Sequence, residues 1–494
     1  MLDMSRRKFI ACVGGAAAWP LAGRAQQLSP ATGKVASSTA IGPLVLSAIN
    51  PRYFARPDGS CIYLTGSHAG NDFQDWGTTT PPPTLDYSAY LAWLQSLNHN
   101  FIRFWLQAEN PYGDPSTLSD WYITPMIFQR TGPGSAADGG LKFDLTKFNQ
   151  SYFDLMRSRL VAAQNAGIYA AIMLFNGWSI SYHGLPPSGG KNPWATHPFN
   201  SANNINGING DPGATGYGQD THTLKVSAVT TIQQAYLRKV IDTVNDLDNV
   251  LYEICNEDSY SDGTANLAWQ QKLVSYIKTY EAGKPKQHPV GITAMDFVSN
   301  ATMNSSNADW ISPGGGQKVE SNQPPQNDVK VSLADTDHIR PNGQYIDVWC
   351  WRAFLRGYNV IHMDPLKDTS IAGRKDNDIQ GPDGFYYNIP MRRGMQQIAH
   401  YAARLDLRYA VPSGALCSSG FMLANPGWQY LALRSGTRSF TVNLSAGAGQ
   451  TFSVEWYDIA NSATQSGANV AGGSAAQVFI SPFARPSALF LNRL

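Results

Sequence analysis

The sequence predicts an α/β protein: a (β/α)8 barrel followed by a small antiparallel β-sandwich. Three observations predict it. From residue 43 to residue 408, short apolar runs alternate with longer amphipathic stretches, the pattern of parallel strands joined by helical crossovers. Eight such runs fall within roughly 350 residues, which suits a (β/α)8 barrel carrying insertions. From Tyr409 onward the periodicity changes to two, punctuated by Gly and Ser, as antiparallel sheets require.

A chain of 494 residues exceeds one ordinary core. Residues 1–25 read as an export signal: Ser5-Arg6-Arg7-Lys8-Phe9-Ile10 precedes an apolar run from Ala11 to Leu21, then the small-residue segment Ala22-Gly23-Arg24-Ala25. Paired arginines, a weakly apolar stretch and small residues near a cleavage point form a twin-arginine pattern. The twin-arginine export machinery is therefore an expected partner, and the periplasm or the cell exterior the expected location. The apolar run is far shorter than the ~20 residues of a membrane span, so no integral span is expected. Residues 26–42 form a Ser-, Ala-, Thr- and Gly-rich flexible lead. The barrel then takes 43–408 and the sandwich 409–494.

Within the barrel, strands are expected at Cys61–Gly66, Asn100–Trp105, Tyr169–Phe175, Val250–Asn256, Pro289–Thr293, Asp309–Ser312, Val329–Ala334 and Tyr358–Met363. Helical patterns cover Tyr87–Leu97, Ser151–Ala166, Ser227–Leu247, Ala265–Tyr280, Tyr345–Arg356 and Pro390–Leu405. Two Gly-, Pro-, Asn- and aromatic-rich insertions, Glu109–Gly140 and Ser179–Lys225, each follow a strand. In such barrels the loops after strands build the active-site face. The sandwich strands are expected at Tyr430–Arg434, Phe440–Leu444, Phe452–Tyr457, Gln477–Ile480 and Ala488–Asn492.

Composition narrows the function. A formal net charge of +1 argues against nucleic acid as a partner, because phosphate neutralisation needs a basic surface. Thirteen Trp and 23 Tyr supply core packing and also flat platforms for sugar rings. Cys12 lies in the signal; Cys61, Cys255, Cys350 and Cys417 are scattered without CxxC or Cys/His ligand spacing. No metal site or cofactor is expected on that basis, and Cys255, inside an apolar strand, reads as a buried thiol. An oxidising compartment permits a disulfide, with the pairing left open.

The strongest chemical segment is Val250-Leu251-Tyr252-Glu253-Ile254-Cys255-Asn256-Glu257-Asp258. Period-2 alternation places Glu253, Cys255 and Glu257 on one face, with Glu257 at the strand mouth and Glu253 one layer deeper. A half-buried Glu there suits protonation of a leaving oxygen; the bland alternative is a carboxylate capping the next helix. The seventh strand ends Val331-Ser332-Leu333-Ala334-Asp335-Thr336-Asp337-His338, where Asp335 and Asp337 share a face and offer a second carboxylate, or else tie a loop to His338. His68, after strand one, is placed either to contact substrate or to stand behind the site as a satisfied histidine; Trp105, Asn176, Trp178 and His183, at or after strands two and three, are placed for substrate contact or for loop and rim packing. His362 and Asp364 end the eighth. Asp335, Asp337, His338, His362 and Asp364 form no compact metal-ligand motif.

Val250 to Glu257 resembles the fourth-strand Asn-Glu signature of the clan A glycoside hydrolases. Arg103, in Asn100-Phe101-Ile102-Arg103-Phe104-Trp105, resembles the second-strand arginine that supports the nucleophile in that clan. Asn50-Pro51-Arg52-Tyr53-Phe54, Ile62-Tyr63-Leu64-Thr65-Gly66-Ser67-His68 and Trp456-Tyr457-Asp458 look like cellulase-like barrel proteins with a C-terminal domain named for collagen binding. The resemblance spans nearly the whole mature chain and implies a carbohydrate substrate, Glu257 as acid/base and a nucleophile ending strand seven. That nucleophile is usually Glu. Here Asp335, with Asp337 behind it, takes the place, and Arg103 is expected to orient it and keep it ionised. Asp is one methylene shorter, so a retaining gap of about 5–5.5 Å could widen toward the about 6.5–9.5 Å of inverting enzymes. Retention is the first expectation, and the stereochemistry stays open. The rival expectation is an exported glycan- or matrix-binding protein on a barrel without catalysis.

Overall fold

A computed structural model describes residues 39–113, 120–180, 192–258, 263–295, 298–314, 330–336, 338–339, 346–364 and 388–494. The expected export signal and most of the flexible lead lie outside these residues. Eight parallel strands close into a barrel in chain order: β1 (Gly66–Ala69), β2 (Phe101–Phe104), β3 (Tyr169–Asn176), β4 (Val250–Asn256), β5 (Val290–Thr293), β6 (Trp310–Ser312), β7 (Val331–Asp335) and β8 (Asn359–Asp364). Every residue of β3 and β4 is buried, which explains runs apolar on both faces rather than alternating ones.

Around the barrel lie α1 (Tyr87–Ser96), α2 (Gln150–Asn165), α3 (Ser227–Val244), α4 (Gly263–Glu281), the short α5 (Asn300–Asn304), α6 (Ile346–Leu355) and α7 (Asn388–Ala402). Asp86 and Asn149 start α1 and α2 by accepting hydrogen bonds from Ala89 N and Ser151 N, satisfying amides that have no partner within the helix. Phe101, Tyr169, Leu251, Val331, Leu333 and Ile361 pack in one buried cluster. The interior there is filled with hydrocarbon, which leaves the C-terminal ends of the strands for chemistry.

Two expectations change. Strand one does not run from Cys61. Cys61–Ile62 pairs antiparallel with Phe54–Ala55, which pairs with Val45–Leu46, and the barrel ladder starts at Gly66. A Cβ at Gly66 would stand 1.8 Å from the Phe101 carbonyl oxygen, so this close approach of β1 to β2 requires glycine. The insertion Glu109–Gly140 is not simply loop either: Phe128–Ser135 pairs with Leu141–Phe148 as an antiparallel hairpin. Its exposed positions carry Gly, Pro and polar residues, which hid the strand pattern.

The C-terminal part contains β9 (Val411–Pro412), β10 (Met422–Asn425), β11 (Gln429–Arg434), β12 (Ser439–Val442), β13 (Thr451–Asp458), β14 (Ala463–Ala471), β15 (Gln477–Ile480) and β16 (Ser487–Arg493). They form a six-stranded antiparallel sheet, β9-β10-β11-β16-β13-β14, and the pair β12-β15. Met422, Ala432, Phe440, Val454, Trp456 and Phe479 share one core cluster, consistent with a β-sandwich. Strand β14, exposed along nearly its whole length, has no buried face to mark it in the sequence.

The sheet packs on α6 and α7. Trp351 and Tyr401 from the helices meet Tyr457 and Phe490 from the sheet within one buried cluster. Tyr401 OH donates to Glu455 Oε1 at 2.7 Å, and Arg404 forks onto both oxygens of the same carboxylate at 2.6 and 3.0 Å. Arg352 and Arg356 sit 5.4 and 4.8 Å from the Phe421 ring, a cation–π contact across the same boundary. A core continuous across the boundary predicts a single calorimetric unfolding transition. Tyr401→Phe should lower stability by about 1 kcal/mol without splitting it; two separate transitions in the wild type would contradict this. Among the described residues no helix is long and apolar enough to cross a membrane, and Cys61, Cys255, Cys350 and Cys417 are free thiols.

Candidate active site

The ends of β1, β2, β4 and β7 deliver an interlocked set of buried polar side chains to one place. Arg103, 2% exposed, is the hub. Its Nε and Nη2 donate to the two oxygens of Glu253 at 2.7 and 2.6 Å, and Nη2 also donates to Asn256 Oδ1 at 2.5 Å. Its Nη1 reaches Asp335 Oδ2 at 3.4 Å. The guanidinium's closest partner is therefore Glu253, with Asp335, which the resemblance set beside it, at the longer distance. A planar fork fits one carboxylate in bidentate fashion, and the deeper Glu253 takes it.

Asp335 is held instead by His68, whose Nδ1 lies 3.1 Å from Oδ2. Burial pushes the Asp335 carboxyl up. His68, followed by Arg103 and His338, outweighs that and holds it well below the usual carboxylate range. His68 is fully buried and acts on Asp335, the second of the two roles that the sequence left open for it. Trp105 likewise is not on the rim. Its ring stacks on the His68 imidazole at 4.8 Å, and its backbone N–H donates to Asp72 Oδ1 at 2.9 Å.

Hydrogen-bond accounting fixes the orientation of the Asn256 amide. Asn176 Nδ2 donates to the carbonyl of Leu106 at 2.8 Å, so Asn176 Oδ1 is the acceptor for Asn256 Nδ2 at 3.1 Å. Asn256 Oδ1 then faces Arg103 and His338 Nε2, which is 3.1 Å away and must carry the proton. His338 Nδ1 is 2.6 Å from Ser312 Oγ. His338 thus ties the residues just past β7 to the end of β4.

Glu257 follows Asn256 with φ of +36°, a left-handed conformation that costs a non-glycine residue about 1–3 kcal/mol and gathers at functional sites. Its Oε2 accepts a 2.7 Å hydrogen bond from the Trp178 indole N–H. Trp178 sits in the short turn Gly177–Ser179, started by Asn176, whose Oδ1 accepts from the Trp178 amide at 3.1 Å. The β4 end and this turn touch so closely that a Cβ at Gly177 would lie 2.5 Å from the Glu257 carbonyl oxygen. The strict alternation expected of β4 breaks here. Glu253 and Asn256, three residues apart, both reach Arg103, while Cys255 Sγ turns to His222 and Asp258 at 3.7 and 3.6 Å. Cys255 therefore does not share the Glu253 face.

His362 is fully buried, with Nδ1 3.3 Å from Oγ1 of Thr336, the residue just past β7. Asp364 ends β8 in register with Ala69; its side chain, and all of Asp337 and His183, lie outside the described residues. A small cavity beside β3 is lined by Leu106, Leu174, Phe175, Phe199 and Tyr236 together with Asn176, Ser179, His197, Thr221, His222 and Gln233. Its lining includes neither Glu257 nor Asp335.

Sequence reasoning missed Glu109. It is fully buried, and among the described residues neither carboxylate oxygen has a hydrogen-bond partner. Burial pushes it up to about 7. The nearby Ser179 hydroxyl and the amides of Ala108 and Glu109 lower it only in part, for none meets hydrogen-bond geometry and Ser179 already donates to Gln107 Oε1. The one available signal was a carboxylate ending the run Trp105-Leu106-Gln107-Ala108-Glu109. A raised folded pKa means stability present below the unfolded pKa near 4.3 and lost as pH rises toward about 7. Glu109→Gln should therefore gain on the wild type by about 3 kcal/mol between pH 4 and pH 8, read by urea unfolding at both. An unchanged difference would contradict the burial argument.

A family profile described as "Domain of unknown function (DUF6298)" matches residues 114–311. No curated protein matches. Among solved structures, a glycoside hydrolase family 5 protein from Bacteroides vulgatus ATCC 8482 superposes with a TM-score of 0.57 at 12% identity, over 92% of this chain and 95% of the other. A second structure, described as a glycoside hydrolase, gives 0.56 at 13% identity over 92% and 98%. The chain shares their fold. At such identity the likeness covers the barrel and the sheet behind it, and the chemistry has to be argued from the residues themselves.

Proposed function

We propose that the chain is an exported glycoside hydrolase acting on an oligo- or polysaccharide. The observation that carries this reading is the Arg103 network, which links Asp335 at the end of β7 to Asn256, the neighbour of Glu257, at the end of β4. Glu257 is the general acid and protonates the leaving glycosidic oxygen. Asp335, kept ionised by His68 and Arg103, attacks the anomeric carbon, and Glu257 then deprotonates the water that releases the sugar. Asn256, its amide oriented by Asn176 and His338, positions the sugar beside the two acids. The twin-arginine pattern supports action in the periplasm or outside the cell, and the fold shared with glycoside hydrolases supports the substrate class.

Incubating the purified mature chain with a panel of plant and bacterial glycans should reveal release of reducing sugar from at least one. Proton NMR of the first product should show the anomeric configuration retained. Inversion would reassign Asp335 as the base that activates water. Glycan binding without release on every substrate would favour the binding-protein alternative.

A further inference from the structure

Spacing along the chain gives no reason to look for a metal, yet folding gathers three unlike donors behind the acidic strand end. His222 comes from the short turn Gln219–His222 before α3, Cys255 from β4, and Asp258 follows Glu257. Their donor atoms lie within 4.8 Å of one another, and all three residues are buried. Cys255 Sγ is 3.7 Å from His222 Nδ1 and 3.6 Å from Asp258 Oδ2, and His222 Nδ1 is 2.8 Å from Asp258 Oδ2. Trp269 stacks on the His222 ring at 4.6 Å and fixes its plane.

Tetrahedral zinc, with bonds of about 2.3 Å to sulfur and about 2.0–2.2 Å to nitrogen and oxygen, places neighbouring ligand atoms roughly 3.3–3.6 Å apart. Both sulfur distances already fit. The His222–Asp258 pair would open by about 0.5 Å as the ion replaces their shared proton. We propose that His222, Cys255 and Asp258 bind a zinc ion, with the Asn256 carbonyl oxygen, 3.5 Å from Sγ, beside the fourth position. On binding, the Cys255 thiol releases one proton to solvent and the His222 proton moves from Nδ1 to Nε2. Thiolate, carboxylate and neutral imidazole then balance the two positive charges, leaving a buried site without net charge.

The placement gives the ion a purpose. Ligands at positions 255 and 258 bracket Asn256 and Glu257, so the ion would clamp the segment that holds Glu257 in its left-handed conformation. Zinc binding itself does not depend on the hydrolase reading.

The test is cobalt substitution in the full mature chain after removal of bound metal with a chelator. One cobalt per chain should bind and show the near-ultraviolet charge-transfer band of a cobalt–thiolate bond. Cys255→Ser should lose the band and bind zinc at least tenfold more weakly, while a Cys61→Ser/Cys350→Ser/Cys417→Ser variant should keep both. Zinc should raise the melting temperature of the wild type and not that of Cys255→Ser. Absence of the band at saturating cobalt, or its survival in Cys255→Ser, would overturn the proposal. Should Cys255→Ser fail to fold, Asp258→Asn supplies the same comparison, with the band shifted and zinc weakened if the site is real and both unchanged if it is not.

Discussion

Glu257→Gln should lower kcat on a responsive glycan by about 10²–10⁴-fold while melting close to the wild type. The two outcomes separate because the carboxyl has two jobs. Structurally, Oε2 accepts a hydrogen bond from the Trp178 indole, and a glutamine carbonyl oxygen accepts it equally well. The left-handed backbone at residue 257 costs glutamine what it costs glutamate. Chemically, an amide has no proton to give the leaving oxygen. A variant that folds, binds glycan and does not cleave it is the signature of a lost acid. Equal turnover would remove Glu257 from the mechanism.

Arg103→Met should cost about 3–5 kcal/mol in urea unfolding, because it strands buried carboxylates without their counter-charge. Glu253 would lose the two hydrogen bonds that the guanidinium fork donates to it, and Asp335 one of its cationic neighbours. Arg103→Lys should fall between, since an ammonium cannot reproduce the bidentate fork. Linkage gives the sign with pH. The folded Asp335 carboxyl lies below its ordinary range, so its stabilising share is present above the unfolded pKa near 3.9 and lost as pH falls below it. The deficit of Arg103→Met should therefore be largest above about pH 4 and shrink in acid. Adding Glu253→Gln should recover part of the loss, because the uncompensated charge goes with it.

The architecture was readable because barrel strands are long apolar runs and the helices between them are amphipathic. Val250–Asn256 could be read to the residue, since burial on both faces leaves it apolar at all but Glu253 and Asn256. The first strand was misplaced because Cys61–Ile62 is also apolar and paired in a small sheet of its own, and period alone does not say which partner a strand takes. At the site, the residue types were legible and the pairings were not. Glu253 and Asp335 were both visible as barrel carboxylates, and only Asp335 was paired with Arg103. Only packing shows that Arg103 spends its fork on Glu253 and leaves Asp335 mainly to His68. Glu109 and the His222–Cys255–Asp258 cluster stayed hidden for a related reason: desolvation and convergence arise from tertiary contacts that no local pattern carries.

A crystal structure with a sugar-shaped inhibitor would test the two-acid arrangement most directly. The arrangement requires the ring to lie between Glu257 and Asp335, with their carboxyl groups about 5–5.5 Å apart. A ring bound elsewhere, or carboxyls more than about 10 Å apart, would contradict it.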